Sequence, residues 1–276
     1  MATVTERQIR QFFEVGFFAV RGLFSAAEVV EMRAAFDRLE RAAQDLGETG
    51  MYRGSRFVLH RGSADEIRIH RIVWCGGAEP VLSDFGKDPR LVGMAARLMG
   101  CDSLQQLINQ AHFKLPGDGV EFSWHQDSAH RRFGGDEWND VNGRGSYVQT
   151  VVALDEANEA NGALRLIPGS CKLGHVSEPL ETGRVLDEAA VFTATMQPGD
   201  VLVFGPYTFH QSDPNRSEHP RRIFINGFAY PGANRRVYPG SGAGRMLRHC
   251  SASTASARNG GTATCSNIAS LEGQIE

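Results

Sequence analysis

The second half of the chain is a series of short β-prone segments separated by turn residues. Pro-Gly and Asn-Gly pairs break up this part of the sequence, as in the turn Pro198-Gly199-Asp200. Many short strands spaced in this way favour an antiparallel sandwich or barrel. The predicted strands are Leu107 to Lys114, Tyr147 to Leu154, Ala163 to Ile167, Val201 to Phe204 and Ile223 to Tyr230.

The first hundred residues show helical patterns instead. Thr5 begins a helix that ends before Gly16, and the run Phe17 to Val20 is extended. Ser25 stands three residues before Glu28, as in a capping box, and opens a helix that reaches Gly47. Asp88 caps another helix that stops at Gly100. We therefore predict a mainly β protein with flanking α, whose N-terminal helices pack on one face of the sheets.

Length and composition limit the domain count and the partners. The 276 residues suit one large domain, which we place at 1–248, and the Ser-, Ala-, Thr- and Gly-rich stretch 249–276 suits a flexible C-terminal tail. The net charge of -3 gives no attraction for nucleic acid or for an anionic membrane surface. No apolar run has the roughly 20 residues of a membrane helix.

The expected location is the cytoplasm. The N-terminus has mixed charges and no uninterrupted apolar segment, so it does not resemble a signal peptide. The five cysteines contain no C-x-x-C pair and are odd in number, which argues against both a disulfide framework and a thiolate zinc site.

The segment Trp124-His125-Gln126-Asp127 is the sharpest chemical feature. On a strand end, residues two apart project to the same side, so His125 and Asp127 would form half of a metal site. His210, just beyond the predicted strand Val201 to Phe204, is the best-placed third ligand. Two histidines and one aspartate form the facial triad of non-haem iron(II) oxygenases. Zinc accepts the same ligands, and a zinc hydrolase is the alternative.

Arg221 favours the oxygenase. A guanidinium keeps its charge and presents a planar fork, which matches the far carboxylate of a dicarboxylic acid held at a metal by its other end. Ser212 lies two residues after His210 and would face the same side, where it could donate to that carboxylate.

Four segments together resemble the phytanoyl-CoA dioxygenase (PhyH) family of iron(II)- and 2-oxoglutarate-dependent oxygenases, over roughly residues 10 to 235. They are W-H-Q-D, N-G-A-L-R-L-I-P-G-S, P-G-D-V-L-V-F and H-Q-S-D-P-N-R-S-E-H-P-R-R. The resemblance implies a double-stranded β-helix, the cupin-like jelly roll. It also implies iron on His125, Asp127 and His210, with 2-oxoglutarate on Arg221 and Ser212.

Other pocket residues are placed less directly. In relatives a polar or basic residue about 55 positions before the first metal histidine touches 2-oxoglutarate, which points to His70 or Arg71, and Gln110 is a similar candidate. The polar, Gly-rich segment 128–146 suits the rim of a substrate pocket. As substrate contacts we predict His130, Arg131 and Trp138 from that segment, and Arg53 from the N-terminal half.

The predicted function is hydroxylation of a C–H bond in a small metabolite or natural-product intermediate, using Fe(II), 2-oxoglutarate and O2 and releasing succinate and CO2. The same ligands would serve desaturation, cyclisation or demethylation. The rivals from other classes are the zinc hydrolase and a non-catalytic jelly-roll binding protein.

Overall fold

The structure is a computed structural model that describes residues 4–62, 65–130, 135–176 and 190–249. Helices precede or edge the sheets: α1 Glu6–Val15, α2 Ala26–Leu46, α3 Pro80–Gly86, α4 Pro89–Met99 and α5 Asp127–His130. Short 3-10 helices lie at Cys75–Gly77 and Ser170–Leu173. Among these described residues, no helix is both long enough and apolar enough to cross a membrane.

The strands follow the chain as β1 Phe17–Val20, β2 Gly50–Tyr52, β3 Ser55–Arg61, β4 Ile67–Val73, β5 Ser103–His112, β6 Phe122–His125, β7 Tyr147–Ala153, β8 Leu164–Leu166, β9 Phe192–Thr193, β10 Val201–Phe204, β11 His210–Ser212, β12 Ile223–Ala229 and β13 Arg245–Arg248. They form two antiparallel sheets. The larger has the order β1-β10-β7-β12-β5-β4-β3-β2, with β13 added to β5, and the smaller has the order β6-β11-β8-β9.

The helix boundaries follow from their caps. The side chains of Thr5 and Ser25 accept hydrogen bonds from the backbone N–H groups of Gln8 and Glu28, and each helix begins at the next residue. Asp88 accepts from the N–H of Arg90 at the start of α4. The predicted N-terminal helices are therefore confirmed.

Two apolar cores flank the larger sheet. One lies between this sheet and the helices, where Phe36, Leu39, Leu91 and Phe224 are all fully buried. The other contains Leu166 of the smaller sheet together with Val151, Phe204 and other residues of the larger sheet. The mainly β jelly-roll architecture with helices on one face agrees with the predicted fold.

One part of the sequence-based picture was wrong. The extended run Phe17 to Val20 is strand β1, as predicted, but β2 to β4 also precede Cys101 and were not predicted. Strands β3 and β4 form an antiparallel hairpin that extends the larger sheet. The hairpin was not predicted because its sequence lacks the clear apolar alternation of a strand. Long polar side chains, such as Arg56, His60 and Arg71, occupy both cavity-facing and outward positions. The predicted C-terminal tail lies almost wholly outside the described residues.

Candidate active site

His125, Asp127 and His210 converge at one end of the smaller sheet. His125 is the last residue of β6 and His210 the first of β11, and these two residues lie directly opposite each other in the antiparallel pair. Asp127 begins α5, immediately beyond β6. One ligand atom from each of the three side chains lies within 4.8 Å of the others. The pairing of two strand ends thus brings together residues that are far apart in the sequence.

The two imidazoles are held in the orientation that a metal site needs. Nδ1 of His125 is 2.7 Å from the carbonyl oxygen of Ser123, and Nδ1 of His210 is 2.9 Å from that of Thr208. A carbonyl can only accept, so each Nδ1 carries the proton and each Nε2 keeps its lone pair. Burial, together with the neighbouring His125, lowers the pKa of His210 to about 4, so its ring is neutral near pH 7.

The donor set fits a ferrous ion. Two imidazole nitrogens and one carboxylate oxygen can occupy one face of a six-coordinate metal and leave the opposite face for other ligands. The same donors could hold zinc, so the neighbouring side chains decide between the two chemistries.

The three residues open into a cavity of about 530 Å³. Its polar lining includes the three candidate metal ligands together with Arg221 and Ser212. Its apolar walls come from both sheets and include Val58, Val73, Ile108, Val151, Leu164, Phe204, Ile223 and Ile225. A cavity of this size and mixed lining is typical of a small-molecule site.

Arg221 is a buried cation that faces this cavity. It lies two residues before β12 and is 2% exposed. One Nη donates to the carbonyl oxygen of Gly162 at 2.9 Å, but Nε has no hydrogen-bond partner within the described part of the chain, and no carboxylate there forms an ion pair with this side chain. Burial lowers the pKa of Arg221 to about 10. An anion in the cavity would satisfy both its charge and its free N–H.

Ser212 lies beside the triad on β11. It is 2% exposed and lines the cavity two residues after His210, as the alternation of a strand predicts. Its backbone carbonyl accepts a hydrogen bond from Nζ of Lys114, whereas its hydroxyl makes none with the described residues. The hydroxyl is therefore available to a ligand.

The weaker co-substrate candidates separate into two groups. Gln110 and Arg71 line the cavity, but His70 does not. Strand β4 alternates its faces, so Arg71 and Val73 face the cavity while His70 packs between the rings of His60 and Phe122, at 5.4 and 4.7 Å.

Of the predicted substrate residues, only His130 is found at the cavity among those that the structure describes. Its ring lies 5.1 Å from that of His125. Trp138 is 6% exposed and packs in the apolar core against Tyr147, because this part of segment 128–146 folds back onto the sheet. Arg53 is exposed at the turn between β2 and β3, over the ring of Tyr52. Arg131 lies outside the described residues.

Sequence reasoning missed two residues of this region. His112 lines the cavity and its Nε2 is 2.9 Å from Oε1 of Gln110, two positions earlier on the same face of β5. Its pKa is lowered well below the ordinary value, chiefly by burial and then by the charges of Arg71 and Arg221. Lys114 is fully buried behind Ser212. Steps of two residues along the strand, from Gln110 to His112 and then to Lys114, could have pointed to both.

The sequence profile of the phytanoyl-CoA dioxygenase (PhyH) family matches residues 12–223. The chain belongs to this family. Over 237 residues it is 26% identical to the ectoine dioxygenase of Bordetella parapertussis, an alignment that covers 78% of this chain and 71% of the relative. It is 27% identical over 195 residues to the L-proline trans-4-hydroxylase of Streptomyces griseoviridis, covering 61% of this chain and 69% of the hydroxylase.

A solved structure has the same fold. The EctD protein from S. alaskensis, crystallised with 2-oxoglutarate and 5-hydroxyectoine, superposes with a TM-score of 0.66 at 23% identity, covering 87% of this chain and 83% of EctD. As a member of the PhyH family, the protein is an iron(II)- and 2-oxoglutarate-dependent dioxygenase that uses O2. The family assignment confirms the predicted enzyme class over the zinc hydrolase and the non-catalytic binding protein.

Proposed function

We propose that this dioxygenase hydroxylates a C–H bond of a small metabolite. In this proposal His125, Asp127 and His210 bind the iron, and Arg221 and Ser212 bind the far carboxylate of 2-oxoglutarate. The observation that carries the proposal is the buried guanidinium of Arg221. It lies in the same cavity as the three ligands and has a free N–H and no ion-pair partner among the described residues.

The chain's own residues would prepare this site before any reaction. The carbonyls of Ser123 and Thr208 hold the two imidazoles so that each Nε2 faces the metal position. Arg221 and the hydroxyl of Ser212 orient 2-oxoglutarate by its far end, which fixes the position of its keto acid end. When bound, ferrous iron and 2-oxoglutarate would use O2 to supply the oxidant for C–H cleavage, with release of succinate and CO2.

The apolar walls of the cavity would exclude water and contact the substrate. Val151, Phe204 and Ile225 line the cavity and are buried in the fold. They exclude water from the space around the metal position, which protects a reactive oxidant from side reactions. They also offer a surface for the carbon skeleton of the substrate.

Hydroxylation is the proposed outcome, and desaturation, cyclisation or demethylation would use the same side chains. The ectoine dioxygenase and the L-proline trans-4-hydroxylase among the relatives favour hydroxylation.

We also propose that residues 1–248 form one domain, since strands β1 to β13 join a single pair of sheets. The thiols of Cys75 and Cys171, neither of which forms a disulfide among the described residues, support a cytoplasmic location. The net charge of -3 supports a small molecule over nucleic acid as partner.

Anaerobic titration with Fe(II) and 2-oxoglutarate tests the proposal. The wild-type protein is expected to develop the visible charge-transfer band of the iron chelate, and admission of O2 with a substrate is expected to release succinate. Asp127→Ala is expected to abolish succinate release because the carboxylate ligand is gone. Lack of the band in the wild type, or full activity in Asp127→Ala, would contradict the assigned site.

A further inference from the structure

The charge of the cavity is strongly unbalanced. Asp127 is the one acidic residue among its described lining, whereas four arginines line it: Arg56, Arg71, Arg221 and Arg236. On the proposed function, Asp127 and the two carboxylates of 2-oxoglutarate offset the charges of a ferrous ion and Arg221. The loaded site would then still contain the charges of Arg56, Arg71 and Arg236.

Arg56 faces the cavity from the β3–β4 hairpin. The cavity-facing side of this hairpin consists of Arg56, Val58, Arg71 and Val73, and in the register Arg56 is opposite Val73 while Arg71 is opposite Val58. The two arginines are therefore diagonal neighbours, with Cα atoms about 7–8 Å apart. Within the described parts of the chain, the side chain of Arg56 makes no hydrogen bond and no ion pair.

Arg236 reaches the cavity from the segment after β12. One Nη donates to the carbonyl oxygen of His130 at 2.9 Å, and the guanidinium carbon is 5.3 Å from the centre of the Tyr238 ring. Both partners also line the cavity. These contacts hold Arg236 beside the helix that begins with Asp127, and no described carboxylate forms an ion pair with it. Its remaining N–H groups are available to a ligand.

We propose that Arg56 and Arg236 bind an anionic group of the substrate, a carboxylate, phosphonate or phosphate. This inference rests on the proposed function, since it assumes that Arg221 is occupied by 2-oxoglutarate. The anion would be held at the basic side of the cavity, and the carbon skeleton would lie on the apolar wall with a C–H bond toward His125, Asp127 and His210.

The cavity volume sets the size of this substrate. About 530 Å³ must hold both 2-oxoglutarate and the substrate, and sites of this scale enclose one drug-sized ligand or two small ones. The substrate is therefore a small acid. A cationic amine without an acidic group is disfavoured, because its desolvated charge would lie beside two guanidinium groups.

The test uses the iron(II)·2-oxoglutarate complex under argon, with its charge-transfer band as the readout of ligand binding. The probes are ectoine, L-proline, methylphosphonate and 2-aminoethylphosphonate, each compared with an amide or ester of the same skeleton in which the anionic charge is removed. We expect at least one acid to perturb the band while its amide or ester does not. The best acid also shows whether a carboxylate or a phosphonate is preferred.

The variants locate the contact. Arg56→Gln and Arg236→Gln are each expected to weaken binding of that acid by about 10-fold or more, as for loss of a charge-assisted hydrogen bond. The matched controls are Arg53→Gln, three residues from Arg56 but outside the cavity, and the exposed Arg235→Gln. Both controls should bind the acid as the wild type does.

The two proposals fail in different ways. If the band itself does not form, the proposed function is wrong. If the band forms in all four variants with the 2-oxoglutarate affinity of the wild type, the proposed function is supported. The titrations with acids then test whether Arg56 and Arg236 bind the substrate. The inference would be overturned by amides or esters that bind as well as the acids, or by a panel in which no acid binds. Acids that bind both cavity variants with unchanged affinity would also overturn it.

Discussion

Arg221 shows how a single residue links stability to function. A guanidinium that is 2% exposed and lacks a described ion-pair partner costs free energy in the ligand-free protein, as its pKa lowered to about 10 indicates. Binding of a carboxylate would recover that cost. The residue is therefore more easily explained by a ligand than by folding.

Arg221→Met is expected to separate these two effects. Without 2-oxoglutarate, its free energy of unfolding should equal or exceed that of the wild type, by up to about 3 kcal/mol, because a buried cation is replaced by an apolar chain. Its affinity for 2-oxoglutarate should fall by about 10-fold or more. Thermal unfolding with and without 2-oxoglutarate measures both, and Arg222→Met is the control. A variant that is stabilised by 2-oxoglutarate as strongly as the wild type would contradict the assignment.

His70 predicts a pH dependence of stability. Burial, followed by the charge of Arg71, lowers its pKa from 6.5 to about 4, so the folded protein binds fewer protons than the unfolded chain in this interval. The stabilising contribution is present above pH 6.5 and is lost as the pH falls through about 4. Iron-free His70→Gln should lose less stability than the wild type between these values in urea titrations, with the exposed His219→Gln as control. Equal losses would contradict the prediction.

Residues that follow a strand's own alternation could be predicted from the sequence. Ser212 was found because it lies two positions from His210 on the same strand. Asp127 was found by the same spacing from His125, although it begins helix α5 and does not lie on a strand end as predicted. Arg236 could not be found, since its position depends on how the segment after β12 folds across the cavity. Trp138 was misplaced for the same reason, because segment length does not reveal which side chains return to the core.

At the scale of elements, Lys114 joins the strands that carry the site. It lies just after β5, and its buried ammonium donates to the carbonyls of Val120, Ser212 and Asp213. These acceptors lie on the segment before β6 and at the end of β11, so one side chain connects three elements. The register shift between His210 and Ser212 occurs at the same place. The cluster fixes the position of β11 relative to Arg221, whose backbone pairs with that of Lys114.

Lys114→Met is expected to destabilise the protein by about 3 kcal/mol or more, because three buried carbonyls lose their donor. Its 2-oxoglutarate affinity should fall as well, since Ser212 is no longer fixed. Urea unfolding and ligand titration test the two effects, with Lys87→Met, at an exposed position on the surface, as control. A variant as stable as Lys87→Met would show that these hydrogen bonds do not support β11.

Element boundaries were predicted well where local chemistry sets them. The capping boxes at Thr5 and Ser25 and the left-handed Gly16, Gly47 and Gly100 mark helix ends within the sequence itself. The β3–β4 hairpin is different, because its polar cavity face is explained only by the cavity that it borders. Polar residues that line the cavity thus interrupt the apolar alternation by which a strand is predicted from sequence.

At the scale of the whole molecule, the two sheets of the jelly roll contribute different residues to the site. The larger sheet supplies Gln110, strand β12 next to Arg221 and most of the apolar wall. The smaller sheet supplies the two histidines and Leu164. The helices cover the outer face of the larger sheet and leave the cavity open. Binding of metal and 2-oxoglutarate between the sheets is therefore expected to stabilise the whole domain.

Metal removal checks this expectation. Saturating Fe(II) and 2-oxoglutarate under argon should raise the midpoint of thermal unfolding, by an amount that grows with ligand concentration, and a chelator should reverse the increase. Asp127→Ala should show no increase with the metal. A midpoint that is indifferent to both ligands would mean that they do not bind the folded protein at this site.

The most direct test is a crystal structure of the protein with Fe(II) and 2-oxoglutarate under argon, with anomalous scattering at the iron edge. We predict one iron peak bonded to Nε2 of His125, Nε2 of His210 and the carboxylate of Asp127, with the far carboxylate of 2-oxoglutarate on Arg221 and Ser212. An iron peak elsewhere, or a 2-oxoglutarate whose far carboxylate does not touch Arg221, would contradict the account.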